Sequence, residues 1–326
     1  MIVELNYREA IARALGDELE ADPKVLLIGE DVGEAGGVFK TTAGLFERFG
    51  ASRVRDTPIS EQAIVGAALG AAIMGLRPVA EIMFADFAGV CFDQIANQLA
   101  KYRYMTGGQA RVPVTLRLAN GAGAGFAAQH SQAVENWFLN IPGLKIAVPG
   151  TPADMYGLLR SAIREDNPVL VFEHKNLFGL KGTLPEGDGS VPLGVADTAR
   201  PGNDVSIVAT QQMRHRALEA ADLLQQRNIE AEVIDPRTLV PFDDRTVIES
   251  LHRTARLVVV QEASVDGSWG ASLIARIVTQ NWSLLDAPPT LVAGDPTPIA
   301  YAAGLEALWL PSVDRIVDAV EQSVAY

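Results

Sequence analysis

Short apolar runs alternate along this chain with segments whose apolar residues recur at helical spacing. The runs include KVLLIG (24–29), RPVAEIM (77–83), VPVTLRLA (112–119), LKIAV (144–148) and NPVLVFE (167–173). Between them, helical spacing predicts helices over 61–75, 86–105, 131–140 and 153–165, after a first helix opened by Asn6. Glu9 stands three residues beyond Asn6, the spacing of a capping box. Alternation of this kind predicts an α/β fold, with a parallel sheet covered by helices on both faces.

The pattern breaks at KGTLPEGDGSVPLG (181–194), which carries Pro and Gly without periodicity and reads as a linker. Alternation then resumes with VSIVAT (205–210), IEAEVID (229–235), RLVVVQE (256–262) and TLVAG (290–294). The intervening helices are predicted to end near Arg227, to cover Asp243–His252 and Gly270–Asn281, and to close the chain near 312–323. The expected division is therefore a first domain over 1–180, a linker over 181–200 and a smaller α/β domain over 201–326. A chain of 326 residues, 48% hydrophobic, is long enough to fill two cores.

Composition narrows the function classes. No apolar run is long enough to span a bilayer, so no membrane association is expected. The opening MIVELNYREA lacks the basic and then apolar pattern of a secretory signal, and a cytoplasmic location is expected. The net charge of −13 argues against nucleic-acid binding, whose phosphates require a basic surface, and leaves room for a basic protein partner. Cys91 is the single cysteine. It has no disulfide or zinc partner and reads as a buried small hydrophobe.

Ligands of open parallel sheets collect beyond the carboxyl ends of the strands, and two segments fit that position. In RDTPISEQAIVGAALGAAIMG (55–75), Ser60 is a candidate N-cap that places Glu61 in the first turn of a helix. The helix dipole alone accounts for a first-turn glutamate. In VTLRLANGAGAGFAAQHSQAVENWF (114–138), a strand leads through a glycine-rich loop to His130 and a helix that Ser131 could cap. Gly121, Gly123 and Gly125 are spaced GxGxG. The third glycine comes too early for a dinucleotide fingerprint, which argues against a nicotinamide dehydrogenase. A lone histidine is more often structural than catalytic, and nothing local decides between the two for His130. His174, His215 and His252 lack metal-ligand spacing, and no metal site is expected on this chain. Gly187-Asp188-Gly189 has the look of a diphosphate motif but sits in the Pro-flanked stretch, without a preceding hydrophobic strand.

Taken together, GEDVGEAGGVFKTTAGL, RVRDTPISEQAIVGAALGAAIMGLRPVAEIMFADF, QHSQ, IPGLKIAVPGTPAD, DPRTLVPFD and GSWGASLIARI resemble the β subunits of 2-oxo acid and acetoin dehydrogenase E1 components. The resemblance runs from about residue 4 to the end. It implies a pyrimidine-binding domain of thiamine-diphosphate enzymes followed by a smaller transketolase C-terminal-type domain. Glu61 matches the glutamate that hydrogen-bonds N1′ of the cofactor's aminopyrimidine. Ile59, Met83 and Phe87 match positions beside that ring. His130 matches the histidine at the substrate end of the site. Glu61 and His130 are thus the expected catalytic residues, and Ile59, Glu61, Met83 and Phe87 the expected cofactor contacts.

The same resemblance implies thiamine diphosphate as cofactor, bound here by its pyrimidine end, with Mg²⁺ on a partner α chain. It implies an α2β2 heterotetramer and acyl transfer to a lipoylated E2. Among substrates, the EHKNLFGLKGTLPEG segment and the NGAGAGFAAQHSQAVENWFLNIPGLKIAVPG stretch look most like acetoin dehydrogenase, with pyruvate dehydrogenase as the alternative. Met83 stands where branched-chain enzymes carry glutamine. A non-catalytic α/β binding module is the contrasting class; replacement of Glu61 or His130 would have favoured it, and both are present.

Overall fold

The computed structural model describes residues 3–185 and 187–326; Glu186, inside the stretch read as a linker, lies outside them. The chain divides into two compact units. One comprises the chain up to Asn120 and Trp137–Leu193, and the other Gly121–Asn136 and Gly194–Tyr326.

The first unit contains, in order, β1 (Val3–Asn6), α1 (Tyr7–Ala21), β2 (Val25–Gly29), α2 (Leu45–Phe49), β3 (Val54–Asp56), α3 (Glu61–Ile73) and β4 (Arg77–Ile82). It continues with α4 (Ala100–Met105), β5 (Thr115–Asn120), β6 (Lys145–Ala147), α5 (Pro152–Arg164), β7 (Val169–His174) and β8 (Lys181–Leu184). Within this unit the main sheet runs β6-β7-β5-β4-β2-β3, and all these strands are parallel. Strand order reverses at β2: the chain steps outward to β3, then crosses to β4 on the other side. The carboxyl ends of β2, β3 and β4 therefore border the crevice where such sheets bind ligands.

Asn6 caps α1 as its spacing predicts. Its Oδ1 accepts from the Glu9 N–H at 2.9 Å, and Glu9 Oε2 accepts from the Asn6 N–H at 2.8 Å. Ile11, Leu15 and Leu19 of α1 and Leu158, Leu159 and Ile163 of α5 join Leu27, Val169 and Val171 of the sheet in one buried core. Two predicted helices are not continuous. The 86–105 span splits into a 3₁₀ turn (Ala85–Gly89), a wide i→i+5 turn (Gln94–Leu99) and α4. Gly89 and the β-branched Val90 are poor helix formers at the break. Of the 131–140 span only a 3₁₀ turn (Glu135–Phe138) forms. Asn136, read as part of that helix, instead accepts the Trp269 N–H at 2.8 Å.

The second unit holds β9 (Asp197–Arg200), β10 (Val205–Ala209), α6 (Gln211–Gln225), β11 (Ala231–Asp235), β12 (Thr238–Val240) and α7 (Asp244–Thr254). After these come β13 (Leu257–Val260), α8 (Trp269–Asn281), β14 (Thr290–Val292), α9 (Ala303–Trp309) and α10 (Val313–Val324). Its sheet runs β14-β13-β10-β11-β9, parallel except for the antiparallel edge strand β9. Ile207, Val233 and Val258 of the strands pack with Ala217 and Leu224 of α6 and with Ile316 and Val320 of α10. Ala122, from the glycine-rich loop, is buried in this same core.

The 181–200 stretch holds more structure than its composition indicates. β8 pairs antiparallel with β1, and β9 pairs with β11. Between them, Asp188 accepts two bonds from Arg164 at 3.0 Å, and its carbonyl accepts from Arg160. Ser161 Oγ donates to the Val191 carbonyl at 2.6 Å. Gly157 of α5 lies so close that a Cβ there would stand 2.6 Å from the Gly189 oxygen. The GDG triplet fastens this stretch to α5.

Candidate functional site

Glu61 is the first residue of α3, just beyond β3 and next to the crevice where strand order reverses. Ser60 occupies the N-cap position, but its side chain makes no capping hydrogen bond. The Glu61 side chain is buried, at 7% exposure, and no donor among the described residues bonds or pairs with its carboxylate. A buried carboxylate without a partner is costly, and such groups concentrate where a ligand supplies the missing donor.

Its surroundings hold further acids. Burial, and then the charges of Glu61, Asp31 and Glu81, raise the pKa of Glu30, the residue after β2. Cys91 is buried, and burial followed by the charge of Glu61 pushes its thiol up to about 12. The thiol therefore stays protonated near neutrality and is no nucleophile. The loop after β2 is tied down by Gly33, whose N–H donates to Asp56 Oδ1 at 2.7 Å; a Cβ there would stand 2.5 Å from the other Asp56 oxygen.

Beside this site lies a buried ion cluster that the sequence reading missed. Arg117 of β5 donates to Glu173 of β7 at 2.6 and 2.9 Å and to Glu81 of β4 at 2.6 Å. Burial opposes the Arg117 charge, but Glu173 and Glu81 outweigh it and hold the guanidinium above its ordinary range. The available signal was a charged residue inside each of three apolar strand runs, since buried charges survive only when paired.

The other expected cofactor contacts lie at the ends of β3 and β4. Ile59 is 81% exposed in this chain, while Met83 and Phe87 are half-buried. Phe87 packs edge-on against Phe84 with ring centroids 5.6 Å apart, and Phe84 against Phe39 at 5.5 Å. Ile59, Glu61, Met83 and Phe87 thus belong to one edge of the first unit.

His130 belongs to the second unit. It is half-buried, and its N–H donates to the Ala127 carbonyl at 3.3 Å. The preceding loop has Gly121, Gly123 and Gly125 at φ of 87°, 92° and 74°, a left-handed region open to glycine at little cost. Turned this way, the backbone N–H groups gather into an anion-binding concavity. The anions are the protein's own. Ala122 N–H donates to Glu262 Oε1, Gly123 N–H to Glu306 Oε1 at 2.7 Å, and Gly125 N–H to Glu306 Oε2 at 3.1 Å. Glu262 and Glu306 are both buried. This loop therefore does not bind a dinucleotide phosphate through those donors. Ser131 is buried, but it caps no α-helix. Among the remaining histidines, His174 Nδ1 accepts from Asn176 N–H at 3.3 Å, and His252 lies in the last turn of α7.

Residues 3–181 match the transketolase pyrimidine-binding domain and residues 194–316 the transketolase C-terminal domain. The chain is 47% identical to an acetoin:2,6-dichlorophenolindophenol oxidoreductase subunit beta of Cupriavidus necator, over 99% of this chain and 98% of that one. It is 42% identical to a pyruvate dehydrogenase E1 component subunit beta of Rickettsia felis, over 99% of both. Among solved structures it is similar to a split-gene transketolase, described as an inactive beta4 tetramer, with a TM-score of 0.81, 25% identity and 98% of each chain covered.

Proposed function

The chain belongs to the family of β subunits of acetoin oxidoreductases and pyruvate dehydrogenase E1 components, and from that we propose that it is the β subunit of a thiamine-diphosphate-dependent acetoin dehydrogenase E1 component. The observation that carries the reading is the buried Glu61 carboxylate, which bonds no donor among the described residues. It fits a ring nitrogen able to share a proton. Thiamine diphosphate, when bound, supplies a nucleophilic carbon that attacks the substrate carbonyl.

The chain's own residues do the rest. Glu61 holds or releases a proton at N1′ of the aminopyrimidine, which neither a glutamine nor an alanine could do. Phe87, packed on the Phe84 ring, and the half-buried Met83 provide an apolar flank, and Ile59 offers an exposed apolar face beside the acid. Water kept from Glu61 leaves its proton to the ring. His130 meets the substrate and its acyl product. Imidazole suits that place because its ordinary pKa, ~6.5, lets it donate or accept a proton at working pH.

Diphosphate and Mg²⁺ fall to an α chain, in an α2β2 enzyme that hands the acyl group to a lipoylated E2. The buried donors of the glycine-rich loop are taken by Glu262 and Glu306, and Asp188 is taken by Arg164, so neither glycine motif offers a diphosphate cradle. The split-gene transketolase described as inactive in its beta4 form supports dependence on a second chain. Acetoin is preferred to pyruvate because the acetoin relative has the higher identity, 47% against 42%. The test is kcat/KM for acetoin, pyruvate and a branched 2-oxo acid, with the chain assembled on an E1 α subunit. A higher value for acetoin is expected, and a higher value for either rival reassigns the substrate.

A further inference from the structure

We propose that Glu262 and Glu306 are positioning residues for His130, acting through the backbone of the loop that carries it. The proposal rests on the reading of His130 as a group that meets the substrate.

The loop has little side-chain packing of its own beyond the buried Ala122 methyl. GAGAG has no side chain larger than a methyl group, and glycine loses more conformational freedom on ordering than any other residue. Its order comes mainly from the backbone: Gly121 N–H donates to the Gln132 carbonyl at 3.4 Å, and the next bonds go to two carboxylates. Glu306, on α9, uses both oxygens: Gly123 N–H at 2.7 Å on Oε1, and Gly125 N–H at 3.1 Å on Oε2 with a longer reach of 3.4 Å to Oε1. Glu262, just after β13, accepts from Ala122 N–H. Asn136, at the far end, accepts from Trp269 N–H at 2.8 Å. His130 lies between these anchors, after Ala127 at a left-handed φ of 61°.

Glu306 is 3% exposed and no lysine or arginine among the described residues pairs with it. An apolar side chain at this position would leave the Gly123 and Gly125 N–H groups without this acceptor. What the carboxylate supplies that no apolar group can is two acceptors on adjacent loop donors. A glutamine has one acceptor oxygen, and its amide would face the second N–H group donor to donor.

The test uses Glu306→Gln and Glu262→Gln, which keep side-chain size, in the assembled enzyme beside His130→Ala. Amide exchange over 121–130 should quicken by about tenfold or more, with β10 and β13 still protected as evidence of an intact core. Acyl transfer to a lipoyl acceptor should fall on the order of tenfold to a hundredfold, while proton exchange at the cofactor's C2, a Glu61 function, stays at the wild-type rate. The double variant His130→Ala/Glu306→Gln should be no slower than His130→Ala alone. Unchanged loop exchange in both glutamine variants overturns the proposal. So does a loosened loop with wild-type transfer, or a double variant slowed by the full product of the two factors. If His130→Ala itself transfers at the wild-type rate, the role of His130 falls and the positioning claim with it. Amide exchange would still report whether the carboxylates hold the loop.

Discussion

Burial and then the charge of Glu61 hold the Glu30 carboxyl above its ordinary range. An acid whose folded pKa is raised penalises folding at pH values above that folded pKa, and the penalty vanishes below the unfolded value of ~4.3. Glu30→Gln should therefore raise the melting temperature at pH 8, with the gain shrinking as the pH is lowered towards 5. Thermal unfolding at several pH values checks this. A gain that grows on acidification would show that the folded state favours the Glu30 anion.

Glu61→Gln should leave the fold as stable as before or more so, since it removes a buried carboxylate that no described residue partners. Cofactor activation should fall by at least about a hundredfold, the lower end of what a positioned acid or base contributes. The measurement is C2–H exchange of thiamine diphosphate in the assembled enzyme. Wild-type exchange in the variant would remove Glu61 from this role.

Asp188→Asn should free the 187–193 strap without unfolding the first unit. Hydrogen bonding from Arg164 holds the Asp188 carboxyl well below the usual range, so its contribution is complete above the ordinary aspartate pKa of ~3.8. It is lost only as the pH falls through the lower folded value. Amide exchange of the strap should thus exceed wild type by the same factor from pH 5 to pH 8, and the factor should shrink in high salt. A marked change of that factor between pH 5 and 8 would mean another titrating group governs the strap.

This chain alone should bind Mg²⁺–thiamine diphosphate weakly, and with its α chain tightly. Calorimetric titration of each would show it, together with a rise in melting temperature on adding cofactor to the mixture only. Stoichiometric tight binding by the β chain would mean that it holds the diphosphate itself, and the two-chain site would be abandoned.

The apolar runs announced β2, β4, β5, β6 and β7, because strands buried on both faces need little polar punctuation. β3 escaped notice: Val54–Asp56 is three residues long and exposed at two of them. β8 and β9 escaped for the opposite reason, as polar edge segments whose partners, β1 and β11, lie far off in sequence. Glu61 was placeable at its helix start, but its burial without a partner among the described residues depends on side chains brought together by folding. The Glu81–Arg117–Glu173 cluster was visible as three charges in apolar runs, though not as a pairing, which requires strand order. Glu306 gave no local sign. It meets Gly123 across 183 residues of sequence, from a seven-residue helix in a Gly- and Ala-rich stretch.

The assignment of residues 121–136 to the second unit means that the chain passes between units three times, after Asn120, Asn136 and Leu193. The gene is therefore not a pair of interchangeable modules joined at 194. A fragment beginning there would carry Glu262 and Glu306 without the N–H donors that satisfy them, and would lack Ala122 from its core. A chimera that swaps only 194–326 between relatives inherits a histidine loop fitted to someone else's carboxylates. Recombination that respects the molecule exchanges 121–136 along with the C-terminal half.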